Sequence, residues 1–141
     1  FVPKAHTPFQ WQGVRPEAEK RLKLLAKRLK PKGIDLRPES YGWSVIQTLL
    51  SRSDRRLAPV IAAVRGSQES LGGWKKAYRA ALAGDLPEAR SAGVTLPLPP
   101  RWESVVHDDW DTEAALPWDH LDGPLPKARL LEHRQDALSL A

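Results

Sequence analysis

Residues 16–33 read PEAEKRLKLLAKRLKPKG, and this stretch gives the clearest indication of the fold. Pro16 suits the first turn of an α-helix, where the acidic residues that follow lie near the positive end of the helix dipole, and basic residues dominate toward the other end. Four apolar residues recur at i, i+3, i+4 and i+7 and form one stripe: Leu22, Leu25, Ala26 and Leu29. Because Pro31-Lys32-Gly33 ends the pattern, the spacing predicts an amphipathic helix that stops there.

Four further helices are predicted downstream, so the fold class is mainly α. The first three combine an apolar stripe with a capping or stop residue: Ser40 before Val45, Ile46, Leu49 and Leu50; Ser53 or Asp54 before Leu57, Val60, Ile61 and Val64; and Trp74, Ala77, Tyr78 and Ala81 before Gly84. The fourth is predicted between Lys127 and Leu140, with Leu130, Leu131 and Leu138 as its apolar positions. One more helical turn is predicted at Pro87–Ala92. Pro59 is tolerated only in the first turn of its helix.

One or two short strands are predicted beside these helices. The pairs Val2-Pro3 and Thr7-Pro8 disfavour α geometry at the residue before each proline, which predicts an extended segment at Phe1–Trp11. Ile34–Arg37 is a second candidate strand. A lone strand is not stable, so we expect the first segment to pair with a sheet outside this chain.

The chain divides into four regions on these criteria. Residues 1–37 hold a strand, a helix and a short strand, and residues 38–92 form a helical subdomain. Residues 93–126, rich in proline, tryptophan and acidic residues, follow no period and are expected to be irregular. Residues 127–141 form a C-terminal helix. Trp102, Trp110 and Trp118 recur every eight residues in the irregular stretch and are expected to anchor it on the helices.

The chain contains neither cysteine nor methionine. Without cysteine it has no disulfide, no zinc–thiolate site and no thiolate for an iron–sulfur cluster. Because a translated protein begins with methionine, and this sequence begins at Phe1 and contains none, the chain is interpreted as a piece of a longer protein. No apolar run approaches the roughly 20 residues that a membrane span needs, so a cytoplasmic location is expected.

Charge is unevenly distributed along the sequence. Residues 1–66 carry 14 Lys and Arg against 5 Asp and Glu, whereas residues 67–141 carry 8 against 12. This asymmetry is typical of a nucleic-acid contact in the basic half, of two halves that attract each other, or of a basic face docked on an acidic neighbour.

Two local clusters were considered as sites and interpreted as structural. The acidic stretch around His107–Asp111 and Asp119–Asp122 has metal-ligand chemistry, but a loop fixes no ligand geometry, so no metal site is predicted. In Ser51–Arg56 the turn is too short for a helix-turn-helix motif, and we expect Asp54 to cap the next helix while Arg52, Arg55 and Arg56 pair with carboxylates or a helix end.

Three stretches resemble one known family. Phe1–Trp11 is similar to its Phe-Val-Pro-Lys-Pro-His-Thr-Pro-Phe-Gln-Trp segment, with Ala5 in place of proline. Ser51–Leu57 is similar to Ser-Arg-Gly-Asp-Arg-Arg-Leu, with Ser53 for glycine, and Leu116–Asp122 to Leu-Pro-Trp-Asp-His-Ile-Asp. The family is an uncharacterised group of radical SAM proteins, similar to Fe–S oxidoreductases, with a cobalamin-binding-type N-terminal domain. Residues 85–115 depart from its pattern.

The resemblance implies a part of an enzyme whose cluster ligands lie upstream. A [4Fe–4S] cluster and S-adenosylmethionine, with cobalamin as a further option, would belong to the full-length protein and none to this chain alone. Residues 1–37 would end a partial α/β barrel, and the helices would cap it without catalysing alone. The residues nearest substrate or cofactor would be Lys4, His6, Thr7, Phe9 and Trp11, and no catalytic residue is assigned. A structural role is implied for the residues of the other two stretches: Arg52, Asp54, Arg55, Arg56, Trp118, Asp119, His120 and Asp122.

Two alternatives from other classes stay open. The basic face of the first helix fits a nucleic-acid-binding module, for RNA, with salt-dependent affinity. Exposed tryptophans would fit a protein-interaction domain, which a large apolar surface patch would indicate.

Overall fold

The computed structural model describes residues 2–37, 39–65, 69–86, 98–99 and 101–140. Within these residues it contains six α-helices and no strand, which confirms the mainly α fold class. The helices are α1 (Glu17–Leu29), α2 (Tyr41–Arg52), α3 (Ala58–Val64), α4 (Leu71–Ala83), α5 (Trp102–Val106) and α6 (Lys127–Ser139). A short 3₁₀ turn at Lys30–Lys32 follows α1, and another at Arg55–Leu57 precedes α3.

The helix boundaries follow from their capping residues. The Ser40 hydroxyl accepts a hydrogen bond from the Trp43 N–H at the start of α2, as predicted, and Ser70 does the same for Gly73 in α4. Gly84 ends α4 with a φ of 76°, a conformation that glycine adopts at little cost. Pro59 lies in the first turn of α3, where no N–H is needed.

Helices α2, α3, α4 and α5 surround the main hydrophobic core. Its buried residues include Val45, Ile46 and Leu49 of α2, Val60 and Val64 of α3, Trp74 and Tyr78 of α4, and Trp102, Val105 and Val106 of α5. Tyr78 meets Trp102 edge to face, with ring centroids 5.3 Å apart. The Tyr78 hydroxyl donates to the Pro99 carbonyl oxygen at 2.7 Å, so this buried phenol keeps a partner.

A second, smaller core connects the two ends of the described chain. Trp11 packs there with Leu116, Trp118 and Leu130, and Trp110 and Leu131 cover it partly. Leu130 is the buried residue of α6. The C-terminal helix therefore packs on the N-terminal segment rather than on the main core.

Several sequence predictions are wrong in detail. Residues 5–11 form consecutive turns, with hydrogen bonds from Gln10 N to Thr7 O and from Gln12 N to Phe9 O, so the predicted strand is not formed in residues 2–11. Ile34–Arg37 is likewise not a strand. The stretch expected to be irregular contains α5, because Trp102, Val105 and Val106 can all reach the main core from one helical turn. The turn predicted at Pro87–Ala92 lies outside the described residues.

The apolar stripes also differ from prediction at their edges. No residue of α1 is buried, although its stripe predicted a packed face. Leu50, Ile61 and Leu138 are exposed although their stripe neighbours are buried or, for Leu131, partly buried. In these helices, the side that faces a core is narrower than the apolar stripe, so residues at the edge of the stripe stay exposed.

Candidate functional site

The N-terminal segment, residues 2–14, is fixed against α2 and against the residues that follow α5. The Ser51 hydroxyl donates to the Pro3 carbonyl oxygen at 2.7 Å. Farther along, Val14 N donates to Val106 O at 2.8 Å, and Trp110 N donates to Trp11 O at 2.7 Å. Three backbone groups of the segment, Pro3 O, Trp11 O and Val14 N, therefore have partners inside this chain, and the segment is not a strand that could pair as expected with an outside sheet.

Gly13 is the point of closest backbone approach. An added Cβ would overlap the carbonyl oxygen of His107, so only glycine fits without movement of one backbone. The Asp109 carboxylate accepts the Gly13 N–H at 2.9 Å and pairs with Arg15 at 2.7 Å. His107 Nδ1 lies 2.9 Å from the Val14 carbonyl oxygen, to which it donates as the Nδ1–H tautomer.

Arg52, at the end of α2, lies at the centre of these contacts and is 1% exposed. Its guanidinium donates to the Asp108 carbonyl oxygen at 3.0 Å and to the Trp11 carbonyl oxygen at 3.4 Å. It also lies 3.8 Å from the centre of the Trp110 ring. Burial lowers the pKa of Arg52 to about 10, while Asp109 and Asp108 oppose that shift. Two carbonyl oxygens and a π-face thus contact the buried charge, while the buried Arg52 Nε has no hydrogen-bond partner among the described residues.

Gln10 forms the second junction of the cluster. Its buried Oε1 accepts from Trp118 Nε1 at 2.8 Å and from His6 N at 2.9 Å. The Trp118 ring stacks on Trp110, with centroids 6.2 Å apart. Since Trp110 also covers Arg52, Gln10 and Arg52 belong to one continuous cluster, which we call the Arg52 cluster: Gln10, Trp11, Arg52, Trp110 and Trp118.

A cleft of about 500 Å³ opens beside this cluster. His6 forms part of its wall in a left-handed conformation, with a φ of 55°, which is uncommon outside glycine. The His6 ring fills the space that a side chain at residue 123 would occupy, so Gly123 is required opposite it. The remaining lining is mixed in chemistry and includes Gln10, Asp119, Asp122, Lys127, Leu121, Leu125 and Leu130.

The five residues predicted to lie near substrate or cofactor are not gathered in one place. His6 lines the cleft and Trp11 is fully buried in the second core. Lys4 and Thr7 line a different, shallow groove, and the Thr7 hydroxyl donates to the Lys4 carbonyl oxygen at 2.7 Å. Phe9 is half-buried. No catalytic grouping follows from their positions.

The residues predicted to be structural fall into two groups. Asp54 caps the turn at Arg56 N and pairs with the Arg56 side chain at 2.9 Å, and this hydrogen bond lowers the pKa of Asp54. Arg55 is exposed. In Leu116–Asp122, the Asp119 carboxylate accepts the Leu116 N–H at 2.8 Å. Asp119, His120 and Asp122 are all exposed. Only Arg52 and Trp118 belong to the Arg52 cluster.

Sequence reasoning missed the residues that join the segments. Gln10, Gly13 and Asp109 make contacts across more than ninety positions of sequence, and no local periodicity marks such residues. Trp110 was expected only as an anchor. The one available signal was a glutamine between two aromatic residues in Phe9-Gln10-Trp11, because an amide that becomes buried needs hydrogen-bond partners.

Comparison with known proteins gives no relative. No family model, curated protein or solved structure matches this chain. None of the helices in the described ranges is long and apolar enough to cross a membrane.

The donor set of the chain does not fit an iron–sulfur cluster. The sequence has no cysteine, and cluster ligation relies on thiolates. Within the part of the chain that the structure describes, no three His, Asp or Glu side chains are grouped as metal ligands. We therefore derive no chemical step through a cluster held by these residues.

Proposed function

We propose that this chain is the C-terminal, noncatalytic part of a radical SAM enzyme, where it caps the active site of an upstream domain. The proposal rests on the three stretches that resemble one radical SAM family, and on how those stretches are arranged in the fold. Because residues 2–11 form turns, the proposed contribution is a cap and not a barrel strand.

Mutual contact of the three resembling stretches supports the proposal. Pro3 accepts a hydrogen bond from Ser51, Trp11 accepts one from Arg52, and Gln10 accepts one from Trp118. Chance similarities of short motifs have no reason to fall on segments that touch. Motifs that meet around one buried arginine describe a single structural unit, as expected if they come from one ancestral fold.

The proposed cofactors are bound outside this chain. A [4Fe–4S] cluster and S-adenosylmethionine, with cobalamin as a further option, would be held by the upstream domain of the same polypeptide, in the cytoplasm. The cluster would supply the reductive chemistry, and the protein supplies binding, orientation and shielding. Lys4 and Thr7, on the open groove of the N-terminal segment, would face that domain.

The coding sequence immediately upstream of Phe1 tests the proposal directly. We expect a cysteine triplet with gaps of three and two residues, and the longer protein should bind iron and sulfide after anaerobic reconstitution. The 141-residue chain alone should bind neither. A stop codon or an unrelated domain upstream would refute the assignment.

A matched pair of lysine variants tests the capping role in the longer protein. Lys4→Ala should slow reductive cleavage of S-adenosylmethionine without changing iron content, because Lys4 is exposed on the proposed active-site face. Lys32→Ala, an equally exposed lysine after α1, should leave the rate unchanged. Equal rates for both variants would remove Lys4 from the site.

A further inference from the structure

Helix α1 carries an outward face of exposed residues. Arg21, Leu24, Leu25 and Arg28 are spaced three and four positions apart, so they share one side of the helix. Leu24 is 50% exposed and Leu25 is 45% exposed, and both arginines are exposed. We call this set the basic α1 face. Leu22 and Ala26 lie on the other side, where they line a groove with Tyr41 and Leu71.

Helix α1 gains little stability from burial within this chain. Isolated helices shorter than about 12–15 residues are marginal in water, and α1 has 13 residues of which none is buried. Two adjacent exposed leucines flanked by two arginines are typical of a surface that binds an apolar site with an acidic border.

The cleft beside the Arg52 cluster has the complementary chemistry. Leu121 is 56% exposed and Leu125 is 40% exposed, and the carboxylates of Asp119 and Asp122 line the same cleft. Lys127 also lines it, so the carboxylates exceed the lysine and arginine side chains there by one. No Lys or Arg occurs in the sequence between Arg101 and Lys127.

We propose that the basic α1 face of one copy docks in this acidic cleft of a second copy of the chain. Arg21 and Arg28 would pair with Asp119 and Asp122, an arrangement in which guanidinium and carboxylate form strong, directional hydrogen bonds. Leu24 and Leu25 would cover Leu121 and Leu125. A second copy is favoured over RNA because a phosphate backbone offers no apolar partner for two leucines at the centre of the face.

The two faces differ, so a one-way contact is heterologous, whereas two reciprocal contacts about a two-fold axis form one isologous interface. Two copies that each insert α1 into the other form a closed dimer, whereas one-way contacts extend into longer assemblies. This inference is independent of the proposed radical SAM assignment, because it uses only surfaces of this chain.

Light scattering coupled to size-exclusion chromatography tests the proposal on the full 141-residue chain. At low salt we expect a dimer or a larger assembly that dissociates toward monomer as salt rises, because the arginine–carboxylate pairs are screened. A monomer at every salt and protein concentration would overturn the proposal.

Charge reversal then locates the contact. Arg21→Glu with Arg28→Glu should raise the dissociation constant at least about tenfold, and Asp122→Arg should do the same from the other side. Asp119 stays unchanged because it also accepts the Leu116 N–H. The control, Lys76→Glu with Arg79→Glu on exposed positions of α4, changes net charge equally with the α1 variant and should leave association intact.

Mixing gives the decisive result. The reversed α1 variant and Asp122→Arg should each be monomeric alone but associate when combined, since the mixture joins the unchanged α1 face of one variant to the unchanged cleft of the other. Failure of the mixture to associate, or equal loss in the α4 control, would overturn the proposal.

Leucine variants separate self-association from nucleic-acid binding. Leu24→Ser with Leu25→Ser should weaken association as the arginine variant does. Complexes that form only when a single-stranded RNA oligomer is added, and that lose affinity with the arginine but not the leucine variant, would replace a second copy by nucleic acid.

Discussion

Arg52 is the residue on which the N-terminal segment depends most. Its guanidinium bonds to the carbonyl oxygens of Asp108 and Trp11 and packs on the Trp110 ring. Arg52→Ala removes the guanidinium donor from the Asp108 carbonyl and one of two donors from the Trp11 carbonyl, which keeps the Trp110 N–H. We expect the free energy of unfolding to fall by about 1–3 kcal/mol. Urea denaturation followed by tryptophan fluorescence measures the change.

The neighbouring Arg55 provides the control for that measurement. Arg55 is exposed, so Arg55→Ala should change the free energy of unfolding by no more than about 0.5 kcal/mol. Arg52→Lys keeps the charge but loses the fork geometry, and it should fall between the two. Equal stabilities for the Arg52 and Arg55 alanine variants would contradict the central role of Arg52.

Tyr78 should titrate unusually late. Burial raises the pKa of this phenol to about 12, whereas its ordinary value is 10.0. Because the folded pKa lies above the unfolded pKa, the folded state holds the proton more tightly between them. The associated stability is complete below pH 10 and is lost as pH rises toward 12.

Alkaline titration of tyrosinate absorbance measures this effect. The chain has two tyrosines, so Tyr78→Phe isolates the signal of Tyr41 and, by difference, that of Tyr78. Titration of Tyr78 near pH 10 in the folded chain would contradict its burial.

At the scale of elements, the contact between residues 2–14 and the end of α5 depends on Gly13. Gly13→Ala forces a Cβ onto the backbone of His107, and we expect the free energy of unfolding to fall by about 1–3 kcal/mol. Gly72→Ala, in the first turn of α4, meets no atom nearer than Ser70 Oγ at 3.8 Å. It should raise stability by up to about 1 kcal/mol. Thermal unfolding of the two variants compares them, and a neutral Gly13→Ala would contradict the close approach.

The helices were predictable because their signals are local. Ser40, Pro59 and Gly84 occupy the capping and first-turn positions that the sequence indicates. Residues 2–11 were not predictable in the same way, since X-Pro pairs exclude α geometry but do not distinguish a strand from successive turns. Burial of an apolar stripe also depends on the surface that it packs against, which explains why no residue of the α1 stripe is fully buried.

The candidate site was predictable only in part. His6, Arg52 and Trp118 stand out in the sequence through their motifs, but their assembly depends on contacts between distant segments. Gln10 joins His6 to Trp118, and a single glutamine carries no periodic signal. The expected anchoring role of the tryptophans agrees with the burial of Trp102 and Trp118.

At the scale of the whole molecule, local stability should differ strongly between helices. Val45, Ile46 and Leu49 of α2 are buried in the main core, and its last residue, Arg52, holds the N-terminal segment. Helix α1 has no buried residue. Hydrogen exchange at high salt should therefore be slowest at α2 amides and fastest at α1 amides. Equal protection of α1 and α2 in a monomer would contradict this order, whereas added protection of α1 at low salt is expected from self-association.

The second core also constrains when the chain can fold during synthesis. Trp11 leaves the ribosome early, but Leu116, Trp118 and Leu130, which bury it, are made more than a hundred residues later. At roughly 5–20 residues per second, this indole waits about 5–20 s for its neighbours. A nascent chain of this protein therefore displays an uncovered tryptophan while the residues between Trp11 and Leu130 are made, and that interval is when a chaperone would bind it.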